Sequence, residues 1–258
     1  MISIQIYPTT SELLEHLAPA TVEISRAAVE QSGLFAFALS GGTTPESFYR
    51  LLAQDSWKKR FPWHDTVFFW SDERAVRPDD PQSNYRMAMD TMLCSAPVSA
   101  THIVRMRGEE PDLEKAAVDY ETEVTSVLGN RHLKFDLVLL GMGEDGHTAS
   151  LFPGSPALTE RERLVVANRV ESSGEGRLTF TFPLINRARS VYLLVTGERK
   201  AQIIKQVFSG RGNFPVQKVR PGDGQLTWWM DRAAASALSK QDVDEYVARF
   251  RKTAEVNR

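Results

Sequence analysis

The sequence predicts a single α/β domain, Rossmann-like, with a parallel-rich sheet between layers of helices. Three observations carry that expectation. Strand-like and helix-like segments alternate along all 258 residues. Several strand segments are continuous apolar runs, the pattern of strands buried on both faces. No internal repeat, low-complexity tract or long linker divides the chain, so residues 1–258 read as one domain.

Ile2–Tyr7 alternates like a short strand. Ser11–Gln31 has helical periodicity through Leu13, Leu14, Leu17, Val22 and Ile24, and Pro19 is expected to kink or restart it. Leu34–Leu39 is an apolar run of strand length, closed by Ser40-Gly41-Gly42-Thr43-Thr44. Pro45 then opens a helix to about Ala53, since proline suits a first turn. Val67–Trp70 reads as a buried strand, followed by the polar Ser71-Asp72-Glu73-Arg74. Pro78–Pro81 is a loop, and helices follow at Ser83–Leu93 and Leu113–Leu128. Phe135–Leu140 is the next strand, and a glycine-rich loop runs from it through Pro156. Later strands fall near Leu164–Asn168, Leu178–Phe182, Val191–Thr196 and Leu226–Met230, with a helix at Arg199–Phe208. The loop Ser209–Gly224 is the least regular stretch and too short to separate domains.

Composition narrows the function classes. The chain is 42% hydrophobic and 25% charged, enough for a substantial core. Thirty-one basic residues nearly offset thirty-three acidic ones, for a formal charge of −2. That balance suggests neither a nucleic-acid partner nor an acidic tail. The lone Cys94 excludes an intrachain disulfide and a cysteine metal cluster, and it reads as a half-buried structural thiol. The first residues lack the plan of a signal peptide, and no apolar run approaches the ~20 residues of a membrane helix. A reducing, cytoplasmic setting is the expectation.

In parallel sheets ligands bind beyond the carboxyl ends of the strands, so three loops matter: those after Leu39, Trp70 and Leu140. Ser40-Gly41-Gly42-Thr43-Thr44-Pro45 could receive a phosphate on backbone amides, threonine hydroxyls and a helix N-terminus, or could simply be a tight turn. It lacks the Gly-Lys-Ser/Thr ending of a nucleotide P-loop. Gly141-Met142-Gly143-Glu144-Asp145-Gly146 matches a dinucleotide GxGxxG formally. The required helix has no room, because His147-Thr148-Ala149-Ser150-Leu151-Phe152 runs into Pro153-Gly154-Ser155-Pro156. Among five histidines, His147 alone lies in a glycine-rich loop at a strand's carboxyl end, where imidazole can move a proton near neutrality. Ser71–Arg74 is a solvated charged turn by default, though its place after Trp70 favours a cleft. Asp72, Glu73, Asp145 and His147 offer one histidine and no HExxH or cysteine pair, so no metal site is expected. No GxSxG is present.

These residues resemble the 6-phosphogluconolactonase family. SGGTTP, WSDER followed by DDPQSNYRMA, LLGMGEDGHTASLFPGSPAL, RLTFTFPLIN, VTGERKA and LTWWMDRAAA occur in that family's order over about residues 35–237. The resemblance implies a fold of the glucosamine-6-phosphate isomerase type. It implies cofactor-free hydrolysis of a phosphorylated sugar lactone, the second step of the oxidative pentose phosphate pathway. Gly41, Gly42, Thr43 and Thr44 would cradle the phosphate, with Arg177 and Lys200 completing that site. His147 matches the catalytic histidine, and Asp72, Arg74 and Asp145 match polar residues around the lactone. The related aminosugar-phosphate isomerases continue the Asp-Gly-His block with a glutamate where this chain has Phe152. The segment Glu171-Ser172-Ser173-Gly174-Glu175-Gly176 lacks the family's usual prolines, so Arg177 could be placed differently. Neither a cofactor nor a second macromolecule is expected, and oligomeric state is left open.

Overall fold

A strand that is apolar at every position has to bury both faces, and the computed structural model, which describes residues 1–171 and 173–256, shows how this is done. The chain runs through β1 (Ile2–Tyr7), α1 (Thr10–Ser32), β2 (Phe35–Leu39), α2 (Thr43–Leu52), a short α3 (Asp55–Lys58) and β3 (Thr66–Trp70). It continues with β4 (Asp72–Arg74), α4 (Asn84–Thr91), α5 (Leu113–Leu128) and β5 (Leu137–Leu140). Next come β6 (Val165–Arg169), β7 (Gly176–Phe180), a short α6 (Phe182–Ile185) and β8 (Ser190–Val195). The last elements are α7 (Ala201–Ser209), β9 (Gln225–Asp231) and α8 (Lys240–Val256).

Six strands form a sheet in the order β1-β9-β8-β5-β2-β3, with every neighbouring pair parallel. Alternate residues along each strand feed two cores. Phe35, Phe37, Leu39, Leu137, Leu139 and Trp229 pack with residues of α1, α2 and α4. Ala36, Ala38, Val138, Leu140, Leu193 and Trp228 pack with residues of α5, α7 and α8. The α/β fold with a parallel sheet between helices is therefore as expected. No helix among the described residues is long and apolar enough to cross a membrane.

Several local expectations need correction. Ser71–Arg74 is no solvated turn: Asp72–Arg74 is β4, in a second, antiparallel sheet of order β4-β7-β6. Glu73 is 2% exposed, because its carboxylate closes the start of α4 instead of facing water. Helix α1 does not restart at Pro19; Leu13, Leu17, Ala18, Thr21, Val22 and Ser25 keep one buried stripe across it. Burial of that stripe outweighs the ~3 kcal/mol a mid-helix proline costs. Helix α2 begins at Thr43, two residues before Pro45, which still lies in the first turn where no backbone partner is lost. Cys94 is exposed and fills no core position. Helix α8 has no counterpart in the sequence reading, although Ser239 and Asp242 form a reciprocal cap at its start and Tyr246 and Phe250 are buried on one stripe. Ser172, in the proline-free segment, lies outside the described residues.

Candidate active site

The connection from β2 leads outward to β3, whereas β5 continues to β8 on the other side. The carboxyl ends of β2 and β5 thus form a topological switch point, the place where such sheets open a crevice. A cavity of about 470 Å³ lies there, walled by residues of the loops after β2, β5 and β8 and by Asp72, Arg74 and Asn84.

The first wall is the turn after β2. Tyr49 of α2 fixes it: the Ser40 N–H donates to the Tyr49 hydroxyl at 2.9 Å, and that hydroxyl donates to the Ser40 carbonyl at 2.8 Å. Gly42 caps α2 at φ +103°, a conformation open to glycine, and no side chain caps the helix. Gly41, Gly42, Thr43 and Thr44 all wall the cavity. The helix start therefore offers an anion amides without a competing side-chain cap. Thr44 Oγ1 meets Thr196 Oγ1 at 2.6 Å, tying this turn to the loop after β8.

The second wall carries the histidine. His147 Nδ1 lies 2.6 Å from Asp145 Oδ1, and the His147 N–H donates to the same oxygen at 3.1 Å. Burial alone would raise the Asp145 carboxyl; the His147 backbone N–H, its charge and its ring bond together hold it below the usual range. The loop is closed by the Gly143 N–H on the His147 carbonyl and by Thr148 Oγ1 on the Gly141 carbonyl. A Cβ on Gly143 would overlap both the imidazole and the Asp145 carboxylate, so only glycine leaves room for the pair. Phe152 packs on the imidazole with ring centroids 4.8 Å apart.

The third wall comes from β4. Asp72 accepts from Ser150 Oγ at 2.7 Å and from Asn84 Nδ2 at 3.3 Å. It has no bond to His147, so the carboxylate paired with the imidazole is Asp145. Next to it, Glu73 accepts from the N–H groups of Arg74, Asn84 and Tyr85 and from Ser83 Oγ. Burial pushes its carboxyl up, and these four donors pull it back. Arg74 walls the cavity and donates to the Gln82 carbonyl.

Lys200 stands at the third loop, anchored through Asp231, which accepts from Gly197, Ala234 and Thr10. Burial lowers the Lys200 ammonium below the ordinary lysine range; Glu144 nearby opposes that shift and Arg199 adds to it. Arg177 is not brought to the cavity wall. It lies opposite Arg74 in the β4–β7 register, with its guanidinium on Glu175 at 2.8 Å and on the Gly176 carbonyl at 2.9 Å. Among the described residues, no three metal-ligating side chains converge.

Sequence reasoning missed Asn84, Ser150, Thr196 and Asp231. Each acts through a partner distant in sequence, as Ser150 does on Asp72, 78 positions away. Only Asn84 left a local trace, in the Ser83-Asn84 pair of a helix start.

Similarity to known proteins covers most of the chain. Residues 8–228 match the family model described as glucosamine-6-phosphate isomerases/6-phosphogluconolactonase. The chain is 40% identical over 228 residues to a 6-phosphogluconolactonase of Synechocystis sp., covering 86% of this chain and 92% of that one. A solved 6-phosphogluconolactonase of Trypanosoma cruzi superposes with a TM-score of 0.81 at 29% identity, over 93% of this chain and 97% of that one. The likeness of fold extends to a monomeric glucosamine-6-phosphate deaminase, TM-score 0.76 at 23% identity, covering 92% of this chain and 100% of that one. With its α/β architecture, its switch-point cleft and a family match over most of its length, the chain belongs to the glucosamine-6-phosphate isomerase/6-phosphogluconolactonase family.

Proposed function

We propose that the cleft hydrolyses 6-phospho-D-glucono-1,5-lactone to 6-phospho-D-gluconate with water activated by His147, as a cytoplasmic enzyme without a cofactor. The observation that carries the reading is His147, which walls the cavity and is paired through Nδ1 with Asp145. Asp145 takes the Nδ1–H, which leaves the Nε2 lone pair to accept a proton. Water attacks the lactone carbonyl carbon while Nε2 takes its proton, and the carbonyl electrons move to oxygen. The tetrahedral species then collapses, the bond from carbon to ring oxygen breaks, and the imidazolium returns the proton to that oxygen. Arg74, which walls the cavity, or an amide of the Gly141–Gly143 loop other than that of Gly143, which is engaged on the His147 carbonyl, stabilises the oxyanion. The turn Gly41–Thr44 and Lys200 hold the phosphate, and this remote binding positions the lactone. Arg177 joins that site by leaving Glu175 when the anion arrives.

An aminosugar-phosphate isomerase or deaminase is the second reading. Phe152 stands against it, since an apolar ring packs on the imidazole where those enzymes place a glutamate. A non-catalytic sugar-phosphate sensor would not need the Asp145–His147 pair. A pH-stat assay with freshly made lactone, corrected for spontaneous hydrolysis, separates the three. Turnover of the lactone supports the proposal; turnover of glucosamine 6-phosphate alone, or binding without turnover, refutes it.

A further inference from the structure

Asn84 is 2% exposed and walls the cavity, yet the mechanism above gives it no part. Its Nδ2 donates to the Asp72 carbonyl at 3.0 Å and to Asp72 Oδ1 at 3.3 Å. Both partners are acceptors only, so the amide cannot flip without setting oxygen against oxygen. Its Oδ1 is thereby turned toward Gly41, so close that a Cβ on Gly41 would overlap it. No donor among the described residues reaches that oxygen. A fixed, unpartnered acceptor thus stands between the glycine turn and Asp72.

We propose that Asn84 Oδ1 accepts a hydrogen bond from a ring hydroxyl of the substrate and so sets specificity for the hydroxylated sugar frame. The inference rests on the lactonase reading of this cleft and adds a residue to it. Chemistry selects the hydroxyl. A phosphate dianion, a lactone carbonyl and a ring oxygen are acceptors, so the carbon-bound hydroxyls are the donors a phosphorylated sugar lactone supplies. An acceptor held by Asp72 and backed by Gly41 needs no reorganisation to meet one, and an analogue lacking that hydroxyl leaves it unpaired.

The test compares kcat/KM for the parent phosphorylated lactone and its 2-, 3- and 4-deoxy forms in wild type and Asn84→Ala. Wild type should disfavour one deoxy form by about 3- to 10-fold or more, the worth of one neutral hydrogen bond. Asn84→Ala should slow the parent by a similar factor and that deoxy form little, so the discrimination collapses. Asn84→Ser, with the same expected collapse, serves if the alanine variant does not fold. Equal losses on all four substrates, or discrimination kept intact, would overturn the role of Asn84. Wild type turning over no lactone at all would overturn the lactonase reading itself, and this inference with it.

Discussion

Asp145 Oδ1 sits 2.6 Å from His147 Nδ1, two residues along the same loop, and it also takes the His147 backbone N–H. One oxygen therefore sets both the orientation of the ring and the turn that carries it. His147→Ala should lower kcat by about 10²–10⁴ with substrate binding largely kept, as expected for loss of a general base. Asp145→Asn should also lower kcat. Because Asp145 acts through the ring, the double variant should be no slower than His147→Ala alone. Additive losses would give Asp145 an independent role.

The same pair fixes the pH response. The Asp145 carboxyl is held below its usual range, so the stability it adds is present above the ordinary aspartate value and is lost as pH falls through the depressed one. Activity should fall on acidification, with the fold intact by circular dichroism, because a general base must be unprotonated to take the proton of water. Unfolding that coincides with the loss of activity would assign the acid limb to stability instead.

Gly143 gives a test from the backbone side. A Cβ there would overlap the imidazole and the Asp145 carboxylate, while the loop's own hydrogen bonds need no side chain at 143. Gly143→Ala should therefore approach the kcat loss of Asp145→Asn with little change in Tm. A variant with unchanged kcat would show that the pair tolerates displacement.

The fold was legible because its central strands are written as apolar runs. Phe35–Leu39 and Leu137–Leu140 have no polar position, and a strand of that kind belongs in a covered parallel sheet. The site was legible where one short loop holds the chemistry, as at Asp145 and His147. It was illegible where partners converge from afar. β4 is three residues long, too short for any periodicity, and its pairing with β7 spans about a hundred positions. For the same reason Asp72 and Asp145 could not be ranked as partners of His147 from sequence. Ser150, which occupies Asp72, lies in the histidine's own loop and carries no local mark of its target.

Glu73 is a stability prediction that follows from that hidden strand. Its carboxylate receives four donors and joins β4 to the start of α4. Glu73→Gln keeps the shape but turns an amide N–H₂ toward N–H groups, leaving at least one buried donor unpaired. The expected cost is about 1–3 kcal/mol, read by urea denaturation. Because Arg74 and Asn84 hang on the same carboxylate, kcat/KM should fall as well. Unchanged stability would mean that α4 is held by its apolar face alone.

Lys200 decides whether this cleft reads a phosphate. Charge-assisted bonds to an anion contribute about 1.5–3 kcal/mol, so Lys200→Ala should lower kcat/KM for the phosphorylated lactone roughly 10- to 150-fold. The unphosphorylated lactone never uses that contact and should slow little further. Burial lowers the Lys200 ammonium, so it loses its charge at a lower pH than a free lysine does. A bound dianion favours the charged form and reverses that shift, so at alkaline pH binding should take up a proton. Titrating 6-phosphogluconate calorimetrically in two buffers of different ionisation enthalpy measures this uptake. It should be present in wild type and absent in Lys200→Ala, with wild-type affinity falling as pH rises. Equal loss on both lactones, with no proton uptake in wild type, would place Lys200 in folding or chemistry and leave the phosphate to the Gly41–Thr44 turn.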